Sequence, residues 1–157
     1  MKKRLIMLFA TGGGLGYAPV ASGTFGSLPG LAIVGALGAV ALPWQIGISI
    51  ALALASFPLC QAADQYCDKK DDGRIVADEY LTFPLCVLGL PWQEHLWLLP
   101  MAFVICRILD IIKPFPAYRS QKLPGGIGIA MDDLISSTYA LGINHLIWWL
   151  VNRQGWV

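Results

Sequence analysis

Five acids stand where charged sequence runs into apolar sequence: Asp78 and Glu79, Asp110, and Asp132 and Asp133. Carboxylates suit helix N-termini, so any one of them could be an ordinary helix-end charge. The set is harder to place that way. A carboxylate inside a membrane-spanning helix costs about 2.5–3.5 kcal/mol on insertion scales. Three of them unpaired would rival a domain's whole stability of about 5–15 kcal/mol. Arg74, Arg107 and Lys113 lie near enough in sequence to offset part of this. A divalent cation offsets several acids at once. Oxygen-only ligands with no histidine nearby suit a hard ion, Mg²⁺ or Mn²⁺. Adjacent residues on a helix point about 100° apart. Within each pair, one acid is therefore expected on the metal and the other to orient it or reach a second ion.

Three further features accompany the acids. Ser22-Gly23-Thr24-Phe25-Gly26-Ser27-Leu28-Pro29-Gly30 places hydroxyls and small residues just before an apolar stretch. Such a turn can present backbone N–H groups to a phosphate. Arg107 and Asp110 are three apart, and on a helix they share a face. Gly125, Gly126 and Gly128 lead into the Asp132-Asp133 pair.

Several other chemistries are missing. Cys60, Cys67, Cys86 and Cys106 form no CxxC pair, and His95 and His145 lie far apart, so zinc spacing is absent. The cysteines read as reduced, apolar thiols. Cys67 to Arg74 is one residue too long for a cysteine-phosphatase loop. There is no Asp-x-Asp-x-Thr, no histidine-phosphatase signature and no P-loop Gly-Lys-Ser/Thr. Asp72-Gly73 lacks the Ala-Arg of phosphatidyl-alcohol transferases. No basic stripe points to nucleic acid.

The elements that must position these residues are membrane helices. The chain of 157 residues is 56% hydrophobic and 13% charged, where a soluble domain carries about 25% charged residues. Its mean hydropathy is +0.61. It reads as one membrane-embedded domain, residues 1–157. Apolar blocks cover residues 28–63, 80–109 and 134–151. Pro43-Trp44 interrupts the first and Pro91-Trp92-Gln93-Glu94 the second. Proline breaks a helix and tryptophan favours the interface. A span needs about 20 residues. The expectation is an all-α bundle of about five helical segments: hairpins 28–42/44–63 and 80–90/95–110, then one helix over 134–151. Residues 80–90 are short for a span and contain Pro84, so a re-entrant piece is an alternative there.

Tracing that topology puts Lys2, Lys3, Arg4, Lys69, Lys70, Arg74, Arg107, Lys113, Arg119 and Lys122 on one side, and Arg153 on the other. Every acid but Glu94 falls on the first side. The positive-inside rule makes that side cytoplasmic. The apolar run after Met1-Lys2-Lys3-Arg4 is too short for a signal peptide core, and it reads as a retained cytoplasmic start.

Together these stretches resemble the phosphatidylglycerophosphatase A family. The resemblance rests on Gly23-Thr24-Phe25-Gly26-Ser27-Leu28, Asp71 followed by Ile75-Val76-Ala77-Asp78-Glu79, Arg107 through Pro116, and Pro124 through Asp133. Ser136-Ser137 stands where the family usually has Ala-Gly, and Tyr80-Leu81-Thr82 where it usually has a glycine. The resemblance implies an all-helical, Mg²⁺-dependent lipid phosphatase of the bacterial cytoplasmic membrane. It would convert phosphatidylglycerophosphate to phosphatidylglycerol and phosphate. Asp78, Glu79, Asp110, Asp132 and Asp133 would hold the metal. Asp71, Asp78, Asp110 and Asp133 are the candidate catalytic acids, with Asp71 a further ligand or general base. Thr24, Ser27, Arg107 and Lys113 would bind the phosphate. The competing reading is an ion-handling membrane protein or small transporter, for which acids deep in several spans are expected.

Overall fold

The computed structural model describes residues 1–67 and 72–155, and Lys69, Lys70 and Asp71 lie outside them. Among the described residues there are helices and no strand. The α-helices are α1 (Lys2–Ala10), α2 (Ser22–Gly26), α3 (Leu28–Leu37), α4 (Leu42–Asp64), α5 (Ala77–Thr82), α6 (Leu98–Ile112), α7 (Ala117–Ser120) and α8 (Gly125–Arg153). A 3-10 turn over Phe83–Val87 continues α5, and another occupies Leu15–Tyr17.

The first expected hairpin is present as α3 and α4. Pro43 does not break a helix there; it sits in the first turn of α4. Proline is at home in that position, because its missing N–H would have no intrahelical partner. The second hairpin is less regular. Its first arm is α5 plus the 3-10 turn, with Pro84 at the start of the turn. A 3-10 turn rises about 2.0 Å per residue against about 1.5 Å for α-helix, so these eleven residues reach about 19 Å. Leu81, Phe83, Cys86, Val87 and Leu90 are all buried. This arm is therefore the enclosed centre of the bundle and presents little to lipid.

Among the described residues two helices are long and apolar enough to cross a membrane, α4 and α8. Of their most apolar stretches 28% and 22% are buried, far less than in the core helix of a soluble protein. Leu54, Ile50, Leu146 and Leu150 lie on their open faces. The fold is a helical membrane protein. Inside a bilayer, helices associate through close packing of small residues. The buried residues of α4 are Ser49, Ala53, Ser56, Cys60 and Ala63, spaced alternately four and three apart. This small-residue seam meets α8, whose buried residues include Gly126, Ala130, Ser137 and Ala140.

The expected helix over 134–151 begins nine residues earlier, at Gly125. By propensity Gly125-Gly126-Ile127-Gly128 reads as a loop. Packing overrides that. A Cβ on Gly126 would lie 2.4 Å from the Gln61 backbone nitrogen and 2.5 Å from the Phe57 carbonyl oxygen. Gln61 Oε1 also accepts a hydrogen bond from the Gly126 N–H at 2.7 Å. The glycine lets the start of α8 touch the end of α4. In consequence Asp132 and Asp133 lie two turns inside a helix, with the enclosed α5 arm beside them.

Two apolar clusters flank that level. One gathers Ala10, Cys60, Val76, Tyr80 and Ile129 at the end where α1 docks. The other gathers Val34, Phe83, Cys86, Leu98 and Ala140 toward the opposite end.

Candidate active site

Between the two clusters, α5, α6 and α8 bring their acids together. α6 supplies Arg107 and Asp110 from its last two turns. Arg107 Nη2 donates to Asp110 Oδ2 at 2.6 Å. Its Nη1 lies 3.0 Å from Glu79 Oε2 and donates to Ser27 Oγ at 2.9 Å. The Ser27 hydroxyl has one proton for two acceptors, Gly23 O at 2.8 Å and Glu79 Oε2 at 2.9 Å. One guanidinium thus ties α5, α6 and the α2–α3 junction into a single network. Gly23 is part of the reason it fits. A Cβ there would lie 2.4 Å from Glu79 Oε1 and 2.8 Å from Arg107 Nη2.

A second set forms around α8. Asp110, Asp132 and Asp133 each turn one carboxylate oxygen to a common region, all within 4.8 Å of one another. Lys113, just past the end of α6, pairs with Asp132 Oδ2 and lies 4.0 Å from Asp110 Oδ1. Gln121 Nε2 donates to the same Asp132 oxygen at 3.0 Å. Burial pulls the Lys113 ammonium down, but Asp132, Asp110 and Asp133 together hold its pKa above the usual lysine value. It therefore stays charged throughout the neutral range. Lys113 adopts φ +50°, a left-handed conformation uncommon for a residue with a side chain. That turn ends α6 and swings the ammonium back toward the acids.

Asp78 and Asp132 are buried, and among the described residues Asp78 Oδ1 and Asp132 Oδ1 have no hydrogen-bond partner. A buried, unpartnered carboxylate oxygen is costly and calls for a ligand. Asp132 is held by Oδ2 and leaves Oδ1 open. Adjacent acids do diverge: Glu79 goes to Arg107 and Ser27, while Asp78 is buried and shares neither partner among the described residues.

The chain matches the profile of the phosphatidylglycerophosphatase A family over residues 8–148. It is 31% identical over 144 residues to phosphatidylglycerophosphatase A of Escherichia coli, covering 89% of this chain and 81% of that one. It is 34% identical over 154 residues to the Haemophilus influenzae protein of the same name, covering 93% and 91%. The chain belongs to the phosphatidylglycerophosphatase A family. A Bacteroides thetaiotaomicron protein provisionally named phosphatidylinositol-3-phosphatase is 30% identical over 154 residues, covering 94% and 96%. No solved structure gives a significant match.

In this family member the residues singled out by sequence fall into three groups. Ser27, Glu79, Arg107, Asp110, Lys113 and Asp132 are joined by hydrogen bonds and ion pairs, Asp133 comes within 4.8 Å of Asp110 and Asp132, and Asp78 is buried on α5 outside that trio. Thr24 is exposed and makes no side-chain hydrogen bond among the described residues, so it stands outside the network. Asp71 lies outside the described residues. Its neighbour Asp72 turns away and holds Arg74 through a bidentate pair, Oδ1 to Nε at 2.9 Å and Oδ2 to Nη2 at 2.8 Å.

Sequence reading passed over Gln121 and Gln61. Gln121 sits in a linker with no regular pattern, and nothing local marks it. Gln61 carried a weak signal: a polar residue near the end of a long apolar helix, on the stripe side next to Cys60. The donor set suits a hard divalent cation. Among the described residues three carboxylates lie within 4.8 Å, and two buried carboxylate oxygens have no partner. At an effective dielectric of about 20, each pair of such charges repels by about 3–4 kcal/mol, which a cation between them would reverse.

Proposed function

We propose that the chain hydrolyses phosphatidylglycerophosphate to phosphatidylglycerol and inorganic phosphate, with Mg²⁺ or Mn²⁺, at the cytoplasmic face of a bacterial inner membrane. The observation that carries this is the meeting of Asp110, Asp132 and Asp133 within 4.8 Å, beside Arg107 and Lys113, in a member of this family. The acids gather at one level of the bundle. An ion pathway would distribute them along several spans. The basic residues of the same end support a cytoplasmic orientation.

Asp110, Asp132 and Asp133 would hold the ion, with Asp78 opposite them on α5 and Glu79 kept on Arg107. When bound, the ion supplies Lewis-acid neutralisation of the phosphoryl charge. Arg107 and Lys113 are placed to donate to non-bridging phosphate oxygens and to stabilise charge as it develops. A water oxygen forms the new bond to phosphorus in line with the ester oxygen. Its proton passes to a carboxylate, for which the unpartnered Asp78 Oδ1 is well placed. The bond from phosphorus to the glycerol oxygen breaks, and that oxygen takes up a proton. Ser27 positions Arg107 and Glu79 in this scheme. A phosphate headgroup lies at the depth where these helices end, so the acyl chains can rest on the open helix faces.

The test is phosphate release by purified protein in detergent, with Mg²⁺ or with chelator. Phosphatidylglycerophosphate, phosphatidic acid and phosphatidylinositol 3-phosphate would be offered in parallel. Metal-dependent release from phosphatidylglycerophosphate is expected. No release from that lipid sinks the proposal. Preference for the inositol lipid would instead favour the activity named for the Bacteroides relative. Turnover in ¹⁸O water separates direct attack from a covalent aspartyl-phosphate: label entering a carboxylate shows the latter.

A further inference from the structure

The carboxylate centre has five acids, Asp78, Glu79, Asp110, Asp132 and Asp133, against two cations, Arg107 and Lys113. At long range such a centre repels an anionic lipid. The segment joining α6 to α8 has the opposite character. Residues 111–131 contain Lys113, Arg119 and Lys122 and no acid. Arg119 and Lys122 are exposed, and neither has an acidic partner among the described residues. The same segment exposes large apolar side chains: Ile111 at 74%, Ile112 at 67%, Phe115 at 69% and Tyr118 at 64%. The Arg119 guanidinium lies over the Phe115 ring, 5.1 Å from its centre. α7 packs on α8, and Gln121 and Lys113 reach inward to Asp132, so the segment is anchored at the mouth of the site.

We infer that residues 111–123 form a docking collar for anionic phospholipid headgroups, which concentrates substrate at the acidic centre. The chemistry fits one occupant. Aromatic and aliphatic side chains beside unpaired cations match the boundary between headgroups and acyl chains. A neutral protein partner would leave Arg119 and Lys122 without counter-charges. An anionic lipid supplies them, at an enrichment of about fivefold per cation and about thirtyfold for two. The collar also gives a dianionic headgroup a favourable path past the acids' field, since exposed charges act over about 8–10 Å at ordinary salt.

The choice of lipid rests on the reading of the site as a lipid phosphatase, but the collar can be tested without turnover. The wild type, Arg119→Gln/Lys122→Gln and Arg153→Gln would be equilibrated in mixed micelles of phosphatidylglycerol and phosphatidylcholine. Retained lipids would then be counted by native mass spectrometry. Arg153 lies at the opposite end of α8, against Trp149, and serves as the control. The wild type should prefer phosphatidylglycerol. The double variant should lose that preference by about 10–30-fold, with Arg153→Gln unchanged. An unchanged preference in the double variant, an equal loss in Arg153→Gln, or no preference in the wild type overturns the collar. Phosphate release is measured on the same protein preparations after phosphatidylglycerophosphate and Mg²⁺ are added. A wild type that selects phosphatidylglycerol yet releases no phosphate leaves the collar standing and removes the phosphatase reading.

Discussion

The two halves of α8 have the same backbone and opposite surroundings. From Gly126 to Ala140 one broad face of the helix is enclosed: Gly126, Gly128, Ile129, Ala130, Asp132, Asp133, Ser136, Ser137 and Ala140 are all buried, while Ile127 and Tyr139 on the other face are exposed. Beyond Ala140 only Asn144 is buried, while Ile143, Leu146, Trp149 and Leu150 are exposed. The first half is packed by protein and holds charge. The second meets lipid and holds almost none. Asn144 shows the rule at the boundary. Its Nδ2 donates to the Cys86 carbonyl at 2.9 Å, and the next residue, His145, reaches the Leu88 carbonyl with Nε2 at 2.8 Å. These side chains serve carbonyls at the end of the enclosed 3-10 arm, Cys86 within it and Leu88 just past it. A membrane helix can carry ionised groups where other helices replace the lipid, and α8 does so along one half.

The contrast can be broken most severely by charge. Asp133→Asn or Asp110→Asn should lower turnover by about 10³-fold or more, since either removes an acid from the proposed ion site. The protein should still insert and purify as the wild type does. Full turnover in both variants would end the assignment. Gln121→Leu is expected to weaken metal binding by about 10–100-fold, because it removes one of the two donors, Gln121 and Lys113, that orient Asp132 through Oδ2. Titration with Mn²⁺, followed by electron paramagnetic resonance, reads this directly. An unaltered metal affinity would leave Gln121 as mere packing.

Packing should separate the two halves next. Gly126→Ala places a methyl group against the α4 backbone and should cost about 1–3 kcal/mol in detergent unfolding. Gly142→Ala meets nothing within 4 Å, so it should be neutral or stabilising by up to about 1 kcal/mol. Equal effects from the two would show that α8 is not enclosed on one half and open on the other. The smallest effect is expected from Thr24→Ala. Thr24 lies outside the contact network, and a change in turnover within about threefold is expected, the ordinary range for a surface substitution. A loss of 10-fold or more would return Thr24 to the phosphate site.

Much of the site was legible because chemistry leaves a strong mark in apolar sequence. Acids are rare in membrane helices, so Asp78, Glu79, Asp110, Asp132 and Asp133 stood out without any structure. The three-residue spacing of Arg107 and Asp110 foretold their 2.6 Å contact. The elements were legible where length and proline marked them, as in α3, α4 and α6. They were misjudged where packing outweighed propensity. The glycines of Gly125 to Gly128 looked like loop and are helix. The arm expected over residues 80–90 is present but runs from Ala77 to Val87, three residues earlier, and from Phe83 onward it is 3-10, with Pro84 at the start of that turn.

The sequence alone determined the solvent, the number of scarce charges and the types of ligand atom on offer, because composition and apolar run length carry those directly. Tertiary structure decided which acids meet. It also decided that Glu79 faces Arg107 while Asp78 does not, and that Gln61 and Gln121 matter. Those outcomes depend on contacts between residues up to 80 positions apart, as in Arg107 with Ser27. No local pattern encodes such a distance. It follows from how closely Gly23 and Gly126 let separate helices approach.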